Sequence, residues 1–264
     1  FNQTVLPLAG PIILVMGIGP LLRWKRADML PVLQRLWLAG AVAMLVFIIL
    51  TATRHIIAAL GLAGGAWVVC AALTDIAERI RLFRVPLGQA LGRLFTLPRA
   101  AIGAALGHIG FGVSVLGIAA MTLAVQKVIV LKPGQSTTLG GYSWTLQDIH
   151  DAPGPDYSQR VADVALSDNG HVFMVLHPSR RFFTAQHVIT SDAAIRTNGF
   201  QDIYIDFADE EDGGAELRLS RHPGAPEIWF GGLIMALGGV FSLSDRRLRV
   251  GAPFRKRLPG GATV

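Results

Sequence analysis

Seven histidines, one cysteine and eighteen acidic side chains are the stock from which acid–base, nucleophilic or metal chemistry could be built here. Their spacing isolates one of them. His108 is the single ionisable residue in the apolar stretch Ala101 to Val125, AIGAALGHIGFGVSVLGIAAMTLAV. An ionisable side chain at membrane depth is a functional hypothesis by default. A neutral imidazole binds haem iron or another transition metal well. It can also relay protons, or hydrogen-bond a neighbouring helix for about 0.6 to 2 kcal/mol. Residue type alone leaves all three open.

The other candidates form no constellation. His150, His171, His177, His187 and His222 share a polar segment with many carboxylates, but at spacings that match no ligand pattern. The run Asp209 to Asp212 reads as a solvated loop, because it lacks the spaced carboxylates of a calcium loop. Cys70 is alone, so no internal disulfide and no cysteine metal site is in view. Gly17-Ile18-Gly19 stands before Pro20 inside an apolar run and cannot be a phosphate loop. No nucleophile elbow occurs. His55, beside Arg54 between two apolar runs, reads as an interfacial residue reaching for headgroups, with a ligand role as the lesser reading.

The elements that would position His108 follow from composition. With 52% hydrophobic residues, 16% charged and a mean hydropathy of +0.47, the chain is too apolar for one soluble domain of 264 residues. About 20 mostly apolar residues cross a bilayer. Five stretches qualify: Val5 to Leu22, Leu36 to Thr53, Ile56 to Leu73, Ala101 to Val125, and Glu227 to Ser244. Pro7, Pro11 and Pro20 in the first are tolerated where neighbours satisfy the freed carbonyls. At 100° per residue, Ala101, Ala105, His108, Gly112 and Ala119 share one helix face, with Gly103, Gly107, Gly110, Ser114 and Gly117 nearly opposite. Small residues on both faces let backbones or a flat ligand come close. His108 is therefore expected to point into a helix bundle with room beside it.

Between the last two spans the pattern changes to period two. VQKVIVL, YSWTLQDI, VADVALS, HVFMVLH, FQDIYIDF and AELRLSR alternate or are rich in β-branched and aromatic residues. Asn169-Gly170 is a two-residue hairpin signal, and Pro133-Gly134 and Gly213-Gly214 mark further turns. The predicted organisation is a membrane region over 1–125 with four helices, an antiparallel β domain over 126–226, and a last helix with a basic tail over 227–264. The fold class is an α-helical integral membrane protein of about five spans with an inserted all-β extracytoplasmic domain.

Fifteen of the 24 Lys and Arg residues lie in alternate connections: Arg23, Lys25, Arg26 and Arg35; the five arginines of Thr74 to Arg99; and six between Arg246 and Arg257. Positive connections stay cytoplasmic. The N-terminus and the β domain are thus expected outside, and the basic face matches anionic lipid headgroups. The overall charge of +6 is accounted for by topology, without nucleic acid. Trp24, Trp37 and Trp229 sit at span ends, as interfacial belts require.

LPLAGPIILVMGIGPLLRWKR, then GHIGFGVSVLGIA, then NGFQDIYI in the β region, then PEIWFGGLIMALGGVFSLSDRRLR resemble, in this order, the C-terminal part of the CcmF family of bacterial haem lyase subunits. The resemblance implies haem attachment to the Cys-x-x-Cys-His site of apocytochrome c on the periplasmic face. The implied partners are apocytochrome c, a haem chaperone, a thiol-presenting maturation subunit, the remaining N-terminal portion of the lyase, and membrane lipid. It also implies a transmembrane haem b, with His108 as an axial ligand of its iron. The family's tryptophan-rich haem-handling motif, its outer haem-holding histidines and its other transmembrane ligand have no counterpart in these residues. A C-terminal portion of a longer protein, or one chain of a split version, is expected, seated in the bacterial inner membrane and incomplete as a lyase by itself. The rival reading is a transporter or anchor subunit in which His108 relays protons or packs helices.

Overall fold

The computed structural model describes residues 2–22, 29–52, 54–211 and 213–245. The basic clusters at 23–26 and 246–257, with Trp24, lie outside the described residues, as does Asp212. Two compact units divide the chain. One holds residues 1–52, 62–115 and 229–264, and the other residues 53–61 and 116–228.

Seven α-helices account for the apolar stretches among the described residues: α1 (Asn2–Ile18), α2 (Met29–Arg35), α3 (Trp37–Thr51), α4 (Ile56–Arg79), α5 (Leu87–Thr96), α6 (Arg99–Met121) and α7 (Ala225–Leu243). By length and composition α4, α6 and α7 can each cross a membrane. A fourth crossing arises if α2 and α3, bent by 60° at Leu36, count as one. Where a span over Val5 to Leu22 is expected, the structure has α1 with Pro7 and Pro11 inside it, then a 3-10 turn, Gly19–Leu21. Its apolar part, Pro7–Leu21, is shorter than the crossing helices. Among the described residues, three helices, or four with the bent pair, are thus long and apolar enough to cross, and the shorter apolar part of α1 stands where the remaining span is expected.

Two helix boundaries and one whole helix differ from expectation for local reasons. Helix α4 runs on past Leu73 to Arg79, because Asp75 and Arg79, one turn apart, pair at 2.8 Å and keep the polar last turn helical. Helix α5 is additional to the expected spans: the arginines of Thr74 to Arg99 mark that segment as polar, yet Leu87, Ala90, Leu91, Leu94 and Phe95 recur at helical spacing. Helix α6 stops at Met121, where the Thr122 hydroxyl donates back to the Ala119 carbonyl at 2.7 Å.

The segment between α6 and α7 is all β. One sheet has the order β1 (Val125–Leu131), β10 (Gly214–Pro223), β9 (Gln201–Glu211), β8 (Ala194–Thr197). The other has β2 (Ser136–Leu139), β3 (Tyr142–Pro153), β4 (Tyr157–Asp168), β6 (Ser179–Phe183), β7 (Val188–Asp192), with β5 (His171–Leu176) also paired to β4. All pairings are antiparallel. Inward residues of both sheets make one core, with Trp144, Leu146, Val164, Leu166, Ile205, Phe207, Leu217 and Leu219 fully buried. Trp144 donates its indole N–H to the Leu139 carbonyl at 3.1 Å, as a buried indole must.

The six anticipated strands are present, and Asn169-Gly170 forms the two-residue turn between β4 and β5. Both residues have positive φ, 48° and 83°, the signature of the hairpin turn that matches strand twist. Gly134 likewise has φ 85°, and the Gln135 N–H closes onto the Lys132 carbonyl at 2.9 Å. Strands β2, β6, β7 and β8 are additional to those six. They are four or five residues long with few apolar positions, and the sheets they join dictate them rather than their own pattern.

Candidate functional site

Helix α6 carries the site, and its two faces meet different neighbours. On one face Gly103, Gly110 and Gly117, seven residues apart, come against the backbone of α7 near Gly238, Gly231 and Gly224 in antiparallel order. A Cβ at Gly110 would stand 2.6 Å from the Gly231 carbonyl oxygen, and one at Gly103 would stand 2.5 Å from that of Gly238. A Cβ at Gly117 would be 2.6 Å from the Gly224 carbonyl oxygen. Neither helix tolerates a side chain at these contacts. Close approach of small residues is how membrane helices pack without a hydrophobic driving force.

The opposite face meets α4. A Cβ at Gly112 would lie 2.6 Å from the Val69 side chain and 3.0 Å from the Gly65 carbonyl oxygen. One helical turn before Gly112, the helices part around His108. A cavity of ≈ 450 Å³ opens there, walled by Val15, Met16, Gly19 and Pro20 from α1 and its 3-10 turn, by Ala72, Asp75 and Arg79 from α4, and by Ala104, Ala105 and His108 from α6. The indole of Trp67, a residue of α4, packs on α1, where Gly17 makes room for it and the Leu14 carbonyl accepts its N–H at 3.2 Å.

His108 is half-buried, and its Nδ1 lies 2.8 Å from the Ala104 carbonyl oxygen. A carbonyl only accepts, so Nδ1 carries the proton and donates. The Nε2 lone pair is then free for a ligand. This is the arrangement by which a backbone carbonyl sets the tautomer and orientation of a metal-binding imidazole. Asp75 is buried while its partner Arg79 is partly exposed, so the pair gives the cavity one polar end. The remaining walls are small or apolar. An imidazole oriented through Nδ1 and lining a largely apolar cavity has the chemistry to hold a hydrophobic metal-bearing group.

Other expected positions fall elsewhere. His55 is exposed just before α4, and its carbonyl accepts the Ala59 N–H at 2.9 Å. Trp37 and Trp229 are exposed, in keeping with interfacial positions. In the β domain His150 and His177 approach one carboxylate: His177 Nδ1 is 2.7 Å from Asp163 Oδ1, and His150 Nδ1 is 3.8 Å from Oδ2. His177 stands at the break between β5 and β6 that Pro178 imposes by lacking a donor. His222 packs against the Tyr204 ring and His187 against that of Phe182. Among the described residues no group of three or more His, Cys, Asp or Glu side chains is arranged to hold a metal ion.

Asp75 and Arg79 are site residues that reading the sequence did not single out. The signal was available in their i, i+4 spacing at the end of an apolar run. Both lie beyond Leu73, where the apolar run ends.

Comparison with known proteins adds a family context. Residues 122–223 match the family model described as CcmF C-terminal beta-sandwich. The chain is 40% identical over 258 residues to the cytochrome c-type biogenesis protein CycK of Bradyrhizobium diazoefficiens, covering 96% of this chain and 39% of that protein. It is 30% identical over 266 residues to the cytochrome c-type biogenesis protein CcmF of Escherichia coli, covering 98% and 39% respectively. The solved structure of a protein titled Cytochrome c Heme Lyase CcmF superimposes with a TM-score of 0.75 at 26% identity, over 92% of this chain and 40% of that one. The chain thus spans about two fifths of the length of the relatives it matches.

Proposed function

Because this chain belongs to the CcmF family of cytochrome c-type biogenesis proteins and matches its C-terminal part, we propose that it forms the C-terminal portion of a haem lyase that attaches haem covalently to apocytochrome c on the periplasmic side of the inner membrane. In this reading His108 is an axial ligand of a haem b within the membrane region 1–125, the β domain 126–226 is periplasmic, and the basic tail of 227–264 is cytoplasmic. The observation that carries the site assignment is the 2.8 Å contact between His108 Nδ1 and the Ala104 carbonyl oxygen, which leaves Nε2 for iron in a residue that lines the cavity.

Bound there, a haem would supply one-electron redox chemistry. This chain's own residues do the rest. Ala104 orients the imidazole. Ala72, Ala105 and Gly19 leave space beside it. Asp75 holds Arg79, whose guanidinium retains donors for an acidic group at the polar end. A second ligand and the haem-handling surfaces would come from the remaining N-terminal portion of the lyase. The haem chaperone and the thiol-presenting subunit complete the assembly.

The test is the optical spectrum of the chain purified with that N-terminal portion. A low-spin b-type spectrum is expected, and His108→Ala should abolish it or convert it to high spin while the protein still inserts. An unchanged low-spin spectrum at full occupancy in His108→Ala would remove His108 from the site and leave it as a packing or proton-relay residue.

A further inference from the structure

Helix α5 presents an apolar stripe to the outside of its own unit. Leu87, Leu91 and Phe95 are 64%, 55% and 87% exposed, and Phe83, in the turn before the helix, is 90% exposed. Successive members of the stripe are four residues apart, so all three helical positions lie within one face. Ala90, fully buried, marks the side turned toward the rest of the unit. Gln89 and Thr96 lie on the side away from the stripe, both exposed.

We propose that α5 is an interfacial helix, which lays Leu87, Leu91 and Phe95 into the boundary between acyl chains and anionic headgroups. Two features choose lipid over another occupant. The first is tethering. Leu97 and Pro98 alone separate α5 from α6, a helix long enough to cross a membrane, so the end of α5 lies at most about 11 Å from a span terminus. Its other end is joined through Ile80 to Pro86 to α4, also long enough to cross. Chain connectivity therefore holds the stripe at the depth where hydrocarbon meets headgroups. The second is charge. Residues 80–99 contain Arg81, Arg84, Arg93 and Arg99 and no Asp or Glu. An apolar stripe on a helix whose own and flanking charges are all cationic has the composition of helices that lie in an anionic interface.

Pro86 and the turn before it prepare the helix for this position. Arg81 and Phe83 both have positive φ, 57° and 65°, a conformation that residues other than glycine rarely adopt. The Leu82 N–H reaches back to the Ala77 carbonyl at 2.8 Å, closing the end of α4. Pro86 then starts α5, and its carbonyl accepts the Ala90 N–H at 3.1 Å. The seven residues Ile80 to Pro86 thus carry the chain through a hydrogen-bonded turn from the end of α4 into α5.

The experiment uses the full chain in a Cys70→Ala background, with nitroxides on Gln89→Cys, Leu91→Cys, Phe95→Cys and Thr96→Cys, in phosphatidylcholine vesicles with and without phosphatidylglycerol. Collision with oxygen relative to a water-soluble nickel chelate should be several-fold higher at 91 and 95 than at 89 and 96. Adding phosphatidylglycerol should move 91 and 95 deeper, and Arg84→Gln with Arg93→Gln should abolish that shift. Free access of the chelate to 91 and 95 would overturn the proposal by showing a water-facing stripe. Exclusion of both reagents there would overturn it by showing protein cover, whether another segment or a second copy. The absence of any phosphatidylglycerol effect would overturn its anionic-lipid part. Should Leu91→Cys fail to insert, Leu87→Cys on the same stripe gives the same readout.

Discussion

Asp245, just beyond the end of α7, accepts the backbone N–H of Ala100 in the first turn of α6 through Oδ2 at 3.0 Å. Residues 145 positions apart thus share a helix cap. The first N–H groups of a helix lack partners within it, and a carboxylate there gains both the hydrogen bond and the favourable end of the helix dipole. The cap ties the end of the last helix to the start of the helix that carries His108.

Asp245→Ala should therefore cost about 1 kcal/mol, lowering the midpoint of thermal unfolding by about 2–4 °C. Asp245→Asn should retain most of the stability, because an amide oxygen still accepts. The half-buried thiol of Cys70 offers the readout, as thermal exposure to a thiol-reactive dye.

The glycine contacts between α6 and α7 make a sharper prediction. Gly110→Val places its branch against the Gly231 carbonyl and the Met235 N–H, neither of which can retreat without breaking a helix. A loss of about 1–3 kcal/mol or more is expected from overpacking. Gly107→Ala, with nothing within 4 Å of its Cβ, should be neutral or mildly stabilising. Equal behaviour of the two in the same dye assay would contradict the packing described.

In the β domain, Gly170→Val should be costly, because φ at Gly170 is 83° and a β-branched residue resists that region by roughly 1–2 kcal/mol. Asn169→Gly should be tolerated. Limited proteolysis of the full chain checks both: cleavage at the β4–β5 hairpin should rise in the first variant only.

The proposed orientation predicts a difference between Asp168→Cys in the β domain and Arg81→Cys after α4, each in a Cys70→Ala background. In intact cells an impermeant thiol reagent should label the first and spare the second. The inner assignment rests on the alternating basic connections, so equal labelling would reverse or void it.

The sequence by itself determined the kind of protein this is. Long apolar runs, an abrupt change to period-two alternation and an Asn-Gly turn are local signals, and each reports a physical demand that acts on neighbouring residues. They revealed the membrane helices, six of the strands, the β4–β5 hairpin and the solitary His108. Only the tertiary structure decided what surrounds that histidine. The cavity brings together α1, α4 and α6, and α4 gives it a polar end because Asp75 and Arg79 prolong the helix beyond its apolar part. Strands β2, β6, β7 and β8 likewise owe their conformation to ladders offered by partners distant in sequence. The cap from Asp245 to Ala100 and the register of Gly110 on Gly231 are of the same kind. A lone aspartate or glycine states its chemistry but not its partner, since the free energy of such a contact depends on a neighbour that only the folded chain supplies.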